Sequence, residues 1–114
     1  MNPYILPGIK TQPKPISYYL EAAGINIYLL RVKTRKREIT DTRQAVMAFA
    51  RQDLKLSTIE TGKLVNQDHA TAIHALRLVN NEIEITRKYP NMRKTKRLEV
   101  YLELVKIKNL ESKK

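Results

Sequence analysis

A chain of 114 residues is long enough for one domain with a modest core and too short for two. Its 22 lysines and arginines against 11 acids leave a net charge of +11, which points to a polyanionic partner, nucleic acid ahead of an anionic membrane surface. With no cysteine, neither a disulfide framework nor a thiolate metal site can form.

Residues 1–15 hold Pro3, Pro7, Pro13 and Pro15, four of the five prolines. Each removes a backbone donor and biases its neighbour toward extended structure, so this stretch is expected to be a flexible arm preceding a single helical domain over 16–114. It has no charged start followed by an apolar core, so it does not read as a signal peptide. The most apolar run, 18–32, contains Glu21, Asn26 and Arg31 and is too short and polar to span a bilayer. These features fit a cytoplasmic protein with no membrane partner.

The stretch ISYYLEAAGINIYLLRVK predicts a short helix, a break at Gly24-Ile25 and a second helix opened by Asn26. A basic loop follows over 31–40, beginning RVKTRKR, which carries five positive charges in seven positions and no apolar periodicity. Asp41 with Gln44 three residues on reads as a capping box opening a helix, along which Val46, Phe49, Ala50 and Leu54 recur at helical steps. A second box, Ser57 with Glu60, opens a helix of about two turns that ends before Asn66. The next helix, about 67–89, buries a stripe of Ala72, Leu76, Val79 and Ile83 and is ended by Pro90. A final segment over about 92–111 is ambiguous. Leu98, Leu102 and Val105 suit a helix, whereas Leu98, Val100, Leu102 and Leu104 alternate as in a strand; the absence of β-turn signals favours helix. Tyr18, Tyr19, Tyr28 and Phe49 are expected in the core or at its rim. The coarse reading is all-α, with a helix-turn-helix over about 57–89.

Both histidines, His69 and His74, lie in NQDHATAIHA. Zinc on a helix needs histidines four residues apart, and a spacing of five separates these two by roughly 140° around the axis. No metal, cofactor or catalytic pair is expected from them. Opposite the buried stripe, Ala70, Thr71, His74 and Arg77 face outward, while Asp68 and His69 occupy the first turn. A methyl, a hydroxyl, an imidazole and a guanidinium suit a major groove, and the free N–H groups of the first turn suit phosphate. The plainer alternative is that Asp68 only caps the helix and the histidines are solvated surface. A short capped helix, a tight turn and a longer helix with a polar outer face form a helix-turn-helix, whose second helix typically enters the major groove.

The run TRQAVMAFARQDLKLSTIETGKLVNQDHATAIHA resembles the C-terminal DNA-binding domain of the bacterial replication initiator DnaA. The likeness rests on Arg43-Gln44, Met47-Ala48, Ser57, Glu60 and Gly62, then Asp68-His69-Ala70-Thr71 and His74-Ala75, with Lys33, Arg35 and Arg37 of the basic loop in register. It covers about residues 16–110 and implies an all-α helix-turn-helix domain of the DnaA C-terminal, Trp-repressor-like type.

The resemblance implies that Arg35, flanked by Lys33 and Arg37, enters the minor groove. It has Arg43 and Gln44 clamp phosphates with Arg51 nearby, Asp68 and His69 read base edges in the major groove, and Thr71 hold the backbone. Thr58, Gln67, Ala70, His74 and Arg77 complete the expected DNA-binding set. Three departures leave the target sequence open. Ala70 replaces the first of the family's two threonines. Within LVNQD, the four residues Val65-Asn66-Gln67-Asp68 stand against the family's five, Phe-Gly-Gly-Arg-Asp, which puts Gln67 where an arginine is expected. The loop carries Thr34 and Asp41 where basic residues are common.

The family carries an AAA+ ATPase ahead of this domain, and here only the arm precedes it. The Gly62-Lys63 pair continues with Leu64 and has Ser57 where a phosphate-binding loop needs its first glycine. Gly62 is instead expected at a close helix contact, and no nucleotide partner or enzymatic activity is expected. The expectation is a stand-alone binder of double-stranded DNA at sites resembling the family's boxes, a monomer on DNA, in replication control or transcription. It would reside in a bacterial nucleoid, or in the host cytoplasm if a phage or mobile element encodes it. A non-specific basic DNA-coating protein and a module docking a replication partner are the alternatives. The cluster RKYPNMRKTKR either extends the phosphate track or only solubilises the chain.

Overall fold

A computed structural model describes residues 15–112. The arm expected over 1–15 thus lies, apart from Pro15, outside the described residues. Six helices follow in chain order: α1 (Ile16–Ala22), α2 (Ile27–Leu30), α3 (Arg37–Gln52), α4 (Thr58–Leu64), α5 (His69–Lys88) and α6 (Lys96–Ser112). No strand occurs among the described residues, so the all-α expectation holds.

The break between the first two helices falls at Gly24, which adopts φ +73°, and Asn26 caps α2 by accepting from the Tyr28 N–H at 2.9 Å. α3 begins at Arg37, four residues before the expected cap, which shortens the basic loop to 31–36. Asp41 lies inside the helix and pairs with Arg97. The local capping pattern at Asp41 and Gln44 gives way to a long-range partner that claims both side chains.

α3 is the axis of the fold. Its residues Ala45, Val46, Met47, Ala48, Phe49 and Ala50 are all fully buried, as in a helix covered on every side. α5 packs against it through Ala72, Ala75 and Val79, whose small side chains let the two backbones approach. α6 packs through Leu98, Tyr101 and Leu104. That spacing settles the ambiguous C-terminal segment as helix: it starts at Lys96, after a turn past Pro90 and with the Thr95 hydroxyl accepting from the Leu98 N–H, and it leaves Leu102 outside.

Tyr19 seats edge-on against Phe49 at 5.4 Å and Tyr18 lies at the rim. Tyr28 departs from expectation at 71 % exposure, because the four-residue α2 turns it outward toward the Arg31 guanidinium. The Tyr101 hydroxyl donates to Asp53 at 2.9 Å; burial, and then the neighbouring carboxylate, push its pKa well above the ordinary tyrosine value.

One buried polar atom offers a direct test of packing. Thr61 on α4 is fully buried and its hydroxyl has no hydrogen-bond partner among the described residues. An unmade buried hydrogen bond costs about 1–3 kcal/mol, while valine keeps the shape. Thr61→Val is therefore expected to stabilise the chain by roughly 1 kcal/mol in urea unfolding; a loss of stability would mean that the hydroxyl is satisfied in solution.

Candidate nucleic-acid interface

The helix-turn-helix is built from α4, its turn and α5. The Ser57 hydroxyl accepts from the Glu60 N–H at 3.1 Å and the Glu60 carboxylate accepts from the Ser57 N–H at 3.2 Å, the reciprocal box expected there. Four residues, Val65 to Asp68, join α4 to α5. Asn66 takes the left-handed conformation (φ 59°), which asparagine tolerates better than most residues, and the Gln67 N–H closes the turn on the Gly62 carbonyl at 2.8 Å. A Cβ at Gly62 would stand 2.4 Å from the Gln67 carbonyl oxygen, so this is the close contact expected of that glycine. A left-handed asparagine thus closes this short turn.

Asp68 caps α5. Its Oδ1 accepts from the Thr71 N–H at 2.8 Å and from the Thr71 hydroxyl at 2.7 Å. The Thr71 hydroxyl, and then its N–H, hold the Asp68 pKa below the ordinary 3.8. A lowered folded pKa contributes stability above the unfolded value, and that contribution is lost as pH falls through the folded one. Asp68→Ala should therefore unfold more readily than the parent at neutral pH, and the gap should close in acid below pH 3.8. A gap independent of pH would assign the loss to something other than the ionised cap.

Past the cap, α5 buries Ala72, Ala75 and Val79, half-buries Leu76 and Ile83, and leaves His69, Ala70, His74 and Arg77 exposed. The buried stripe and the outward face are as the periodicity predicts, while Thr71 and Gln67 are half-buried at the turn and Thr58 is half-buried at the start of α4. Periodicity missed Ile73, which is 44 % exposed beside Ala70 and His74. The two histidines do not converge with acids, and among the described residues no group of three or more His, Asp or Glu stands close enough to hold a metal.

The basic loop is fastened at its start, through Leu30, Arg31 and Val32. Arg43 donates from Nε to the Leu30 carbonyl at 2.8 Å and from Nη2 to the Val32 carbonyl at 2.7 Å. Arg31 donates from Nε to the Leu64 carbonyl at the end of α4, 2.9 Å away. These bonds hold the loop against both α3 and the helix-turn-helix and leave Lys33, Arg35, Lys36 and Arg37 exposed. Arg31 was not among the expected residues; its bond spans 33 positions and has no local signal.

The two expected phosphate clamps, and Arg51 near them, are bonded within the protein. Arg43 is 7 % exposed and bonded to carbonyls, so it braces the loop from inside. Gln44 accepts from Arg97 at 2.6 Å. Arg51 donates to the Leu56 carbonyl at 2.7 Å and has its Nε buried without a partner among the described residues. In each case the backbone or α6 reaches the side chain before solvent does. Arg97, in the second basic cluster, is likewise structural, whereas Lys88, Arg93, Lys94 and Lys96 of that cluster are exposed. Among the described residues no helix is long and apolar enough to cross a membrane.

The family model for the bacterial dnaA protein helix-turn-helix matches residues 17–79. Over 71 residues, 61 % of this chain, the sequence is 37 % identical to the chromosomal replication initiator protein DnaA of Bacteroides thetaiotaomicron, of which the match spans 14 %. It is 32 % identical over 77 residues to that of Flavobacterium psychrophilum, covering 67 % of this chain and 16 % of the relative. It is 38 % identical over 61 residues to DnaA 1 of Chlamydia pneumoniae, covering 54 % and 13 %. The chain thus corresponds to a small part of these relatives' length, and no solved structure matches it. Because the matched residues span the basic loop, the capped α4, the turn and the first half of α5, the chain belongs to the bacterial DnaA helix-turn-helix family.

Proposed function

We propose that this chain binds double-stranded DNA and reads its sequence, one chain per site, at sites of the kind its initiator relatives serve in chromosomal replication. The observation that carries the reading is the pairing of two exposed elements on one frame. The Arg31 bond to Leu64 holds the cationic loop beside the helix-turn-helix, whose second helix leaves His69, Ala70, His74 and Arg77 uncovered. In this reading α5 lies in the major groove. His69 and Asp68 meet base edges, Ala70 meets a thymine methyl, and Thr71, Gln67, Thr58 and Arg77 meet the backbone or the groove wall. Arg35 enters the adjacent minor groove, with Lys33 and Arg37 on the flanking phosphates. Asp68 does double duty, since the oxygen that caps α5 leaves its second oxygen for a base amine.

The test is selection of bound duplexes from a random pool, followed by competition of the selected site against scrambled DNA. A reader prefers its site by about a thousandfold or more. If roughly six phosphates are contacted, log K falls against log salt with a slope near −5. Arg35→Ala and His69→Ala are each expected to reduce discrimination by about 1–3 kcal/mol. Equal losses on selected and scrambled DNA would instead make the chain a non-specific coat.

A further inference from the structure

The turn between α5 and α6 lies outside the helix-turn-helix and carries its own charge. No acid stands between Glu84 and Glu99, a span that holds six cations. Arg87 pairs with Glu84, and Arg97 with Glu82 and Asp41. The other four, Lys88, Arg93, Lys94 and Lys96, are exposed, and none makes an ion pair or a side-chain hydrogen bond among the described residues. The turn itself is fixed. The Met92 N–H donates to the Tyr89 carbonyl at 3.0 Å around Pro90, and Arg97 and the Thr95 hydroxyl both donate to Glu82, which ties the start of α6 back onto α5. Tyr89, 62 % exposed, and Met92, 57 % exposed, stand out among the cations.

Helix stability and solubility do not account for this set. Lys88 suits the C-terminal end of α5, but Lys94 and Lys96 lie at the start of α6, where the helix dipole repels a cation. An aromatic ring and a thioether left in water add nothing to solubility. A fixed ring among unpaired cations instead matches a ligand that carries phosphate charge beside flat apolar faces. Duplex DNA keeps those faces in its stack, whereas a single strand offers them. From this we propose that the α5–α6 turn is a second nucleic-acid site, one that takes a single strand. A base stacks on Tyr89, and Lys88, Arg93, Lys94 and Lys96 meet the phosphates on either side. The 20 residues of α5, about 30 Å, separate this site from the first turn of the helix, against a major-groove width of about 12 Å, so strand and duplex can be held together.

A fluorescein-labelled oligothymidylate, which cannot pair with itself, tests this by anisotropy on the full chain at low salt. The parent is expected to bind it, and to go on binding it when saturated with its selected duplex. Tyr89→Ala should weaken this binding roughly tenfold, the scale of one lost base stack, and Tyr89→Phe should keep it. Replacing Arg93, Lys94 and Lys96 by glutamine together should lower the slope of log K against log salt by about 2, for three lost strand phosphates. All these side chains are exposed, so the variants should unfold in urea as the parent does. No binding by the parent, or parental affinity in Tyr89→Ala, would overturn the proposal; in the second case charge alone would serve any polyanion, a second duplex or an anionic vesicle included. So would oligothymidylate binding that the duplex displaces or that Arg35→Ala abolishes, which would place the strand on the basic loop. The probe has no duplex to read, so its binding stands or falls apart from the function proposed above.

Discussion

Gly62→Ala is expected to destabilise the fold by about 1–3 kcal/mol, the range for forcing added atoms into a packed site. Helix propensity alone argues the opposite, because alanine is favoured over glycine inside a helix by about 1 kcal/mol. Contact geometry decides between the two. The new Cβ would meet the Gln67 carbonyl oxygen at 2.4 Å and the Asp68 carbonyl carbon and oxygen at 3.1 Å. These are backbone atoms of the turn and the cap, with no flexible side chain to yield. Moving them breaks the Gln67 N–H bond to the Gly62 carbonyl and swings the start of α5 away from α4. Urea unfolding of the two proteins settles the sign. An alanine variant as stable as the parent would mean that the turn relaxes freely and that the Gly62 contact does not fix the start of α5.

Much of this arrangement is written in short-range chemistry and was legible in the sequence. The Ser57–Glu60 box, the Asn26 and Asp68 caps and the break at Gly24 each depend on groups within a few residues of one another. The stripe on α5 follows from the 3.6-residue period, and its outward face, His74 and Arg77 included, follows by subtraction. What escaped depends on partners far along the chain. Asp41 looks like a cap because Gln44 follows it, yet Arg97, 56 positions away, draws it into the middle of a helix. Arg43 reads as a surface cation by type, but a guanidinium on a stem of three methylenes can be buried when carbonyls face it, as those of Leu30 and Val32 do. Composition alone tells neither case from a phosphate contact.

Arg97 is where that sorting has the largest consequence for stability. Its Nε donates to Glu82 at 2.7 Å, and its Nη1 to Gln44 at 2.6 Å and to Asp41 at 3.2 Å; the Thr95 hydroxyl also donates to Glu82. One side chain of α6 thus joins α3 to α5 on a rim where the three charged partners are only 14–17 % exposed. Removing the cation leaves two carboxylates facing each other with little water, so Arg97→Met is expected to cost about 2–4 kcal/mol, below the range for a fully buried pair because the rim is partly wet. The methionine keeps most of the apolar stem, which separates lost charge from lost packing. Adding Glu82→Gln to Arg97→Met should recover part of the loss, and the double-mutant cycle measures the coupling directly. If the same interaction positions Gln44, the Arg97→Met chain will bind DNA with altered affinity even at temperatures where it is fully folded. A coupling energy near zero between positions 82 and 97 would show that each group meets water on its own terms. The apolar contacts of α3 with α5 and α6 would then suffice to set the frame on which the loop and the outward face of α5 are held.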